Sequence, residues 1–89
     1  MDFSVSPDLD KELKKITLRN KPLAKKIEKQ LLLFQKNHVH PSLRVHKHSG
    51  NLENIWSISI DRNYRMLYFL DQNEAYFFDI GTHDQVYKK

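Results

Sequence analysis

The stretch 54-NIWSISIDRNYRMLYFL-70 decides the class of fold that this chain can adopt. In its first half, apolar residues alternate with Ser57 and Ser59, which is the pattern of a strand buried on one face only. An almost continuous apolar run, 64-YRMLYFL-70, follows after a short turn. Strands this close in the chain pair antiparallel, so we predict a β-hairpin whose serine-bearing face points away from the core.

The segments before this hairpin follow the helical period. Apolar residues recur every three or four positions through 7–19 and again through 21–37, which predicts two amphipathic helices joined by a tight turn. Ser6 and Asn20 stand at the N-caps of these helices, and a proline lies in each first turn. A short strand, 2-DFSV-5, is predicted before the first helix.

Further strands are predicted on both sides of the hairpin. The chain alternates from Leu43 onward, and 75-AYFFDI-80 is an apolar run that ends at Gly81. This order predicts an α+β fold, in which an N-terminal helical hairpin packs on one face of a mainly antiparallel sheet of four to five strands. The 89 residues suffice for one such domain, 1–89. The other face of the sheet is then open, and we expect functional residues there.

The composition excludes several classes of protein. The chain has no cysteine, which rules out a disulfide framework and a thiolate zinc site, and no apolar run is long enough to cross a membrane. The N-terminus is acidic where a secretory signal would be basic, so we predict a cytoplasmic protein. The formal net charge of +4 favours polyanionic partners, either nucleic acid or an acidic protein segment.

Two residues of the C-terminal half are candidates for chemistry. Arg65 lies within the apolar strand, where an unpaired charge is costly to bury. It must therefore either form a salt bridge, with Asp79 or Asp61, or bind an anion such as a phosphate. His83 follows Gly81 at a strand end, and we interpret the glycine as the point where the chain turns and returns His83 over the open face. Imidazoles titrate near neutral pH and carry protons well.

A metal site is not predicted. His46 and His48 share one strand face, as two ligands of a metal ion can, but neither a cysteine nor a nearby carboxylate completes the set. We therefore predict neither a metal ion nor another cofactor.

Three motifs in this order resemble the RelE/ParE toxin superfamily, and within it the RelE/YafQ/YoeB-like mRNA interferase branch of type II toxin–antitoxin systems. They are HPSLR at 40–44, WSISI with RNYRMLY at 56–68, and IGTHDQVY at 80–87. The similarity covers essentially the whole chain and implies a RelE-like fold. It also implies a toxin that enters the ribosome and cuts mRNA by 2′-OH attack without a metal ion. Such a toxin inhibits translation, is neutralised by a cognate antitoxin and contacts DNA only through the antitoxin complex.

The resemblance implies roles for individual residues. Arg65 matches the arginine that holds the scissile phosphate, His83 matches a catalytic histidine, and Tyr87 matches an aromatic residue that stacks on or orients a base. Cleavage of RNA by its own 2′-OH needs a base, an acid and a cation against the charge on phosphorus, and this predicted catalytic set can contribute to all three. The residues predicted to bind RNA are His40, Arg44, His46, Lys47 and Arg62.

The chain departs from the family pattern at two places. Ser57 and Ser59 stand where RelE itself carries lysines, which leaves the general base unidentified. His48 stands where relatives often have leucine, and we interpret it as a tolerated surface substitution, with an added catalytic group as the alternative.

Two other functions are open at this stage. ParE, a gyrase-directed poison without nuclease chemistry, has the same fold, and a catalytically inactive relic that only binds RNA or an antitoxin would keep that fold too. The strand 64–69 is apolar on both faces. Its second face is therefore covered either by a segment of an acidic antitoxin or by the chain itself.

Overall fold

The computed structural model of the protein describes residues 1–48 and 54–87, the side chain of Tyr87 excepted. The helices are α1 (Pro7–Arg19), α2 (Lys21–Lys36) and the short α3 (His83–Tyr87), and a 3₁₀ turn spans Pro41–Leu43. The strands are β1 (Phe3–Val5), β2 (His46–Lys47), β3 (Ile55–Ser59), β4 (Tyr64–Asp71) and β5 (Glu74–Thr82). No helix in this described part is long and apolar enough to span a membrane.

The strands form one five-stranded sheet in the order β1-β5-β4-β3-β2. β1 runs parallel to β5, and the other neighbouring strands are antiparallel. α1 and α2 pack on one face of this sheet, which confirms the predicted α+β fold. Two differences from the predicted bounds are small: α2 ends at Lys36, where Asn37 caps it, and β5 continues past Gly81 to Thr82. The strand predicted from Leu43 onward was wrong at its start, because Leu43 ends a 3₁₀ turn, Arg44 is left-handed and β2 spans only His46–Lys47.

The helix starts are fixed by the caps that the sequence predicts. The Ser6 hydroxyl accepts a hydrogen bond of 3.1 Å from the Leu9 N–H, and the Asn20 side-chain oxygen accepts one of 3.2 Å from the Leu23 N–H. Each cap satisfies one of the N–H groups that have no partner within the helix. Asn20 is both the C-cap of α1 and the N-cap of α2, so one residue separates the two helices.

Phe34 of α2 lies at the centre of the core. It is fully buried, and its ring meets those of Phe3, Tyr68 and Phe77 edge to face, with centroids 6.5, 5.2 and 5.3 Å away. Such aromatic pairs contribute about 0.5–1.5 kcal/mol each beyond the area they bury. The same burial raises the pKa of Tyr68 to about 12. This cluster holds α2 against β1, β4 and β5.

A polar residue, Gln30, occupies the buried face of α2. It is 7% exposed, and its side-chain Nε2 donates to the carbonyl oxygens of Ser59, at 2.8 Å, and Ser42, at 3.3 Å. The helical period alone places Leu31 on this face, yet Leu31 is only half-buried. Gln30 thus joins α2 to the end of β3 and to the 3₁₀ turn.

The turn between β3 and β4 is organised by Asp61. Its Oδ1 accepts hydrogen bonds of 2.8 Å from the N–H groups of both Asn63 and Tyr64, and its Oδ2 lies 3.5 Å from the Lys26 ammonium. Burial of this carboxyl raises its pKa, but the two N–H groups and Lys26 lower it, and the net pKa lies below the usual 3.8.

Replacing Gln30 with alanine should destabilise the fold by about 1–2 kcal/mol, because the carbonyl oxygens of Ser59 and Ser42 lose their donor. Urea unfolding followed by circular dichroism measures this difference. Gln35→Ala is the matched control, since Gln35 lies on the same helix and is exposed. Equal unfolding midpoints for the two variants would contradict the role given to Gln30.

Asp61→Asn should weaken the fold in a pH-dependent way. Because the pKa of Asp61 is lowered by folding, its contribution to stability is present above the unfolded value of 3.8 and is lost as the pH falls through the folded value. The free energy of unfolding of wild type and variant should therefore differ most near neutral pH and converge in acid. The same unfolding series with Asp71→Asn, an exposed carboxylate at the end of β4, is the control. A constant difference between wild type and Asp61→Asn at every pH would exclude this linkage.

Candidate active site on the open face of the sheet

The open face of the sheet is the face that does not contact α1 and α2. Ile58 and Ile60 are buried in the core, whereas Ser57 lies on the opposite face, as the alternating pattern predicted. Ser57 is nevertheless fully buried. In the paired strands Ser57 lies opposite His46 of β2 and Leu67 of β4, so these residues form one row across the open face.

Arg65 is anchored on this face by neutral oxygen atoms. Its Nε donates to the Ser57 hydroxyl at 2.9 Å, and its Nη2 donates to the Arg44 carbonyl at 2.6 Å and to the Ser57 carbonyl at 3.4 Å. Neither predicted salt-bridge partner takes this place: Asp61 binds Lys26, and Asp79 lies opposite Leu67 in β4. Neutral acceptors orient the guanidinium without cancelling its charge, which is the arrangement that suits an anion.

Arg44 supplies the carbonyl from an unusual backbone conformation. It ends the 3₁₀ turn with φ 46° and ψ 53°, in the left-handed region. A residue other than glycine loses about 1–2 kcal/mol there. The hydrogen bond from Arg65 offsets part of this cost, so the conformation of the turn and the position of the guanidinium depend on each other.

His83 is the first residue of α3, and a capping box fixes the start of this helix. The Gln85 N–H donates to the Thr82 hydroxyl at 3.3 Å, and the Thr82 N–H donates to the Gln85 side-chain oxygen at 2.8 Å. The His83 N–H also donates to the Asn63 carbonyl at 3.2 Å, which ties α3 to the β3–β4 turn. The exposed His83 side chain therefore extends from a backbone that is fixed by the capping box and by the bond to Asn63.

Gly81 does not turn the chain, and the interpretation of this glycine as a turn was wrong. It lies inside β5 without a left-handed φ. A Cβ at this position would lie 2.9 Å from Gln85 Oε1, 3.1 Å from Gln85 Cβ and 3.2 Å from Val86 Cγ1. The glycine is required for space, because α3 folds back closely onto β5.

Arg65 and His83 line the same two cavities, so they lie on one concave surface. The larger cavity, of about 500 Å³, lies between α2, the 3₁₀ turn, the β3–β4 turn and the start of α3. Its lining residues are Gln30, Ser42, Arg44, Ser59, Ile60, Asp61, Arg62, Arg65 and His83. The smaller cavity, of about 320 Å³, is lined by Arg44, Val45, His46, Arg65 and His83. The two cavities share Arg44, Arg65 and His83.

The structure brings some of the other predicted residues into these cavities and leaves others outside. Arg44, Arg62 and His46 line at least one of them. The Nδ1 of His40 instead accepts a hydrogen bond of 3.1 Å from the Ser42 N–H and so caps the 3₁₀ turn. The Lys47 ammonium lies 5.7 Å from the centroid of a Trp56 ring.

Tyr87 is described by its backbone alone. It is the last residue of α3, and its predicted contact with a base falls outside the described side chains. The predicted role of Tyr87 stays a prediction.

His48 is buried, so its interpretation as a surface residue was wrong. It is 8% exposed, and its ring centroid lies 6.4 Å from that of His46. Burial lowers the pKa of His48 below the usual 6.5, and the nearby His46 and Arg65 lower it further.

Three residues that shape the site were missed from the sequence. Ser57 and Gln30 make the hydrogen bonds that fix Arg65 and the 3₁₀ turn, and Asp61 forms the β3–β4 turn beside the cavity. A signal for Gln30 was available, since a glutamine on the apolar stripe of a helix must find partners inside.

No group of three or more residues suited to bind a metal ion occurs within the described residues.

Comparison with known proteins identifies the family. No protein-family model matches the chain. The chain is 31% identical over 91 residues to RelE4, a predicted toxin of Methanocaldococcus jannaschii, and the match covers 99% of this chain and 92% of that protein. Among solved structures, it resembles a chain of the Staphylococcus aureus YoeB–YefM complex, with a TM-score of 0.75, 24% identity and coverage of 93% of this chain and 97% of that one. It also resembles a chain of the E. coli DinJ–YafQ complex, with a TM-score of 0.75, 18% identity and coverage of 97% of both chains.

The two structural similarities concern the fold, since their sequence identities are low. The similarity to RelE4 extends through nearly the whole of both sequences. This chain belongs to the RelE family of toxins.

Proposed function

We propose that this RelE-type toxin is a ribosome-dependent mRNA endoribonuclease that acts by 2′-OH attack without a metal ion. The observation that carries the proposal is the position of Arg65, whose guanidinium is held by neutral oxygens beside a cavity that His83 also lines. A fixed cation next to an imidazole is the minimum set for metal-free cleavage of a phosphodiester. The toxin acts in the cytoplasm, where mRNA is translated.

In this reaction Arg65 binds the scissile phosphate and stabilises the charge that develops on its oxygens. The ribose 2′-oxygen attacks phosphorus, the bond from phosphorus to the 5′-oxygen breaks, and His83 donates a proton to that departing oxygen. The products are a 2′,3′-cyclic phosphate and a 5′-hydroxyl end. Tyr87 stacks on or orients a neighbouring base, as aromatic side chains do with single-stranded RNA.

The basic residues around the cavity bind the rest of the RNA. Arg44 and Arg62 lie at the cavity and are suited to the phosphates adjoining the cut. His40 and Lys47 line neither cavity, so the RNA that they bind lies further along the strand. All of these contacts are electrostatic and should weaken with salt.

A cognate antitoxin neutralises the toxin. The structural relatives are found in complexes of this kind, YoeB with YefM and YafQ with DinJ. An acidic antitoxin suits the net charge of +4. On the open face, Phe69 contacts Tyr76 and Phe78 at ring distances of 5.0 and 5.8 Å, so the chain itself covers part of the second face of β4. We expect the antitoxin to cover the cavity that Arg65 and His83 line.

His83→Ala and Arg65→Ala should each lower the rate of mRNA cleavage by about 10²–10³, because each removes a group that acts on the reacting phosphate. Mapping of mRNA 5′ ends after brief induction in cells measures the cuts, which should be phased with codons in the wild type. Arg19→Ala, an exposed arginine in the last turn of α1, is the matched control and should cut as the wild type does. Arrested growth with intact mRNA in the wild type would exclude the nuclease and favour a gyrase-directed poison.

Gly81→Ala should also lower cleavage, by about tenfold, since the new methyl group pushes Gln85 and Val86 outward and with them the start of α3 that carries His83. The measurement is the cleavage rate together with the urea unfolding midpoint. A loss of activity much larger than the loss of stability would show that the position of α3 matters for the reaction. Unchanged cleavage would mean that Gln85 and Val86 adapt without moving His83.

A further inference from the structure

We propose that His46 is the general base that takes the proton from the attacking 2′-hydroxyl. This inference rests on the proposed function, which assigns the acid and the cation but leaves the base without a residue. The resemblance to the family does not supply one either, because Ser57 and Ser59 replace the lysines of RelE.

His46 lines the smaller cavity together with the anchored guanidinium. In the antiparallel pairing of β2 and β3 it is opposite Ser57, whose hydroxyl accepts the hydrogen bond from Arg65 Nε. The second anchor of Arg65, the Arg44 carbonyl, is two residues earlier in the same segment. Arg65 therefore extends from β4 across β3 towards the segment before β2, and the exposed imidazole of His46 lines the smaller cavity with it.

The two imidazoles come from elements on opposite sides of β4 in the strand order. His46 comes from β2, beyond β3, whereas His83 comes from the end of β5, on the other side of β4. In-line displacement at phosphorus needs the attacking oxygen and the leaving oxygen on opposite sides of the phosphate. A phosphate held by Arg65 would then have a proton acceptor near one of these oxygens and a proton donor near the other.

The other groups near the cavity are poorly suited to be the base. The smaller cavity is lined by two arginines, a valine and the two histidines, and an arginine does not release its proton in proteins. Asp61 lines the larger cavity, but both of its oxygens accept hydrogen bonds and its pKa is lowered, which makes it a weak proton acceptor. Asp79 lines neither cavity.

His48 supports the position of His46. It is the next residue on the same face of the segment, and its ring is buried. Its backbone N–H donates to the Ile55 carbonyl at 2.8 Å, which extends the pairing of β2 with β3. Among the described residues, the charged and titratable groups that line the smaller cavity with His46 or contact its ring are Arg44 and His48 from its own segment, Arg65 from β4 and His83 from α3.

The proton balance of the step is complete with these residues. His46 accepts the proton of the 2′-hydroxyl as the bond from the 2′-oxygen to phosphorus forms. Protonated His83 gives its proton to the 5′-oxygen as the bond from phosphorus to that oxygen breaks. No oxidant, reductant or metal ion takes part, and the two imidazoles end the step with their protonation states exchanged.

The test compares two mRNA substrates in a translation extract programmed with a short message whose cut site has been mapped. One has an ordinary phosphodiester at the cut, and the other has sulfur in place of the bridging 5′-oxygen, which leaves without help from an acid. On the ordinary message, His46→Ala and His83→Ala should each lower cleavage by about 10²–10³. On the sulfur message, His83→Ala should recover to within about tenfold of the wild type, whereas His46→Ala should stay impaired.

A pH series adds a readout that a structural role would not change. The wild-type rate should fall on the acidic side, where the base is protonated, and His46→Ala should lose this fall. His46→Gln keeps a polar side chain and should behave as His46→Ala does, and His38→Ala, outside both cavities, is the histidine control. Urea unfolding of each variant accounts for effects on stability.

The outcomes separate this inference from the proposed function. If the wild type leaves the ordinary message intact, the nuclease proposal fails and the assignment of His46 fails with it. If the wild type cuts but His46→Ala cuts equally well, only the assignment of His46 is overturned. It is also overturned if the sulfur message rescues His46→Ala and not His83→Ala, since His46 would then be the acid.

Discussion

The hydrogen bonds that hold the Arg65 guanidinium are the interaction on which the rest of the site depends. They link β4 to Ser57 of β3 and to the carbonyl of Arg44, and Arg44 presents this carbonyl only because it ends the 3₁₀ turn in a left-handed conformation. The 3₁₀ turn is also hydrogen-bonded to α2 through Gln30. Hydrogen bonds and the backbone of the 3₁₀ turn therefore connect the helical hairpin to the guanidinium of Arg65. The helices cover the core and also set where the guanidinium lies.

The choice of neutral acceptors explains how a basic protein keeps a usable positive charge on its surface. A carboxylate in the place of Ser57 would bind Arg65 more strongly and would compete with a phosphate for it. The carboxylate nearest to the larger cavity, that of Asp61, is instead engaged by Lys26 and by two backbone N–H groups. The cavity is thus lined by arginines and imidazoles, while the Asp61 carboxylate is bound within the β3–β4 turn. This distribution of charge favours a polyanionic ligand.

The sequence predicted the architecture well because architecture follows from periodicity. The two helices, their caps at Ser6 and Asn20 and the alternation in β3 are local patterns, and each is present in the structure. The details of the site are not local. The left-handed conformation of Arg44 leaves no mark in its residue type, the burial of His48 depends on strand pairing, and the need for glycine at position 81 comes from α3 packing back onto β5. Tertiary contacts decide these features, and so the interpretations of His48 as a surface residue and of Gly81 as a turn were wrong.

The site combines one long element with several short ones. Arg65 lies on β4, an eight-residue strand paired on both sides, whereas His46 lies on a two-residue strand and His83 starts a five-residue helix. A change in a short peripheral element costs little of the core, while a change in the central strand disturbs every neighbour. A fold built in this way can change the side chains of β2 and α3 while the guanidinium on β4 stays anchored. The position of Arg65 is therefore fixed by the whole sheet, whereas the positions of His46 and His83 depend on short elements at its ends.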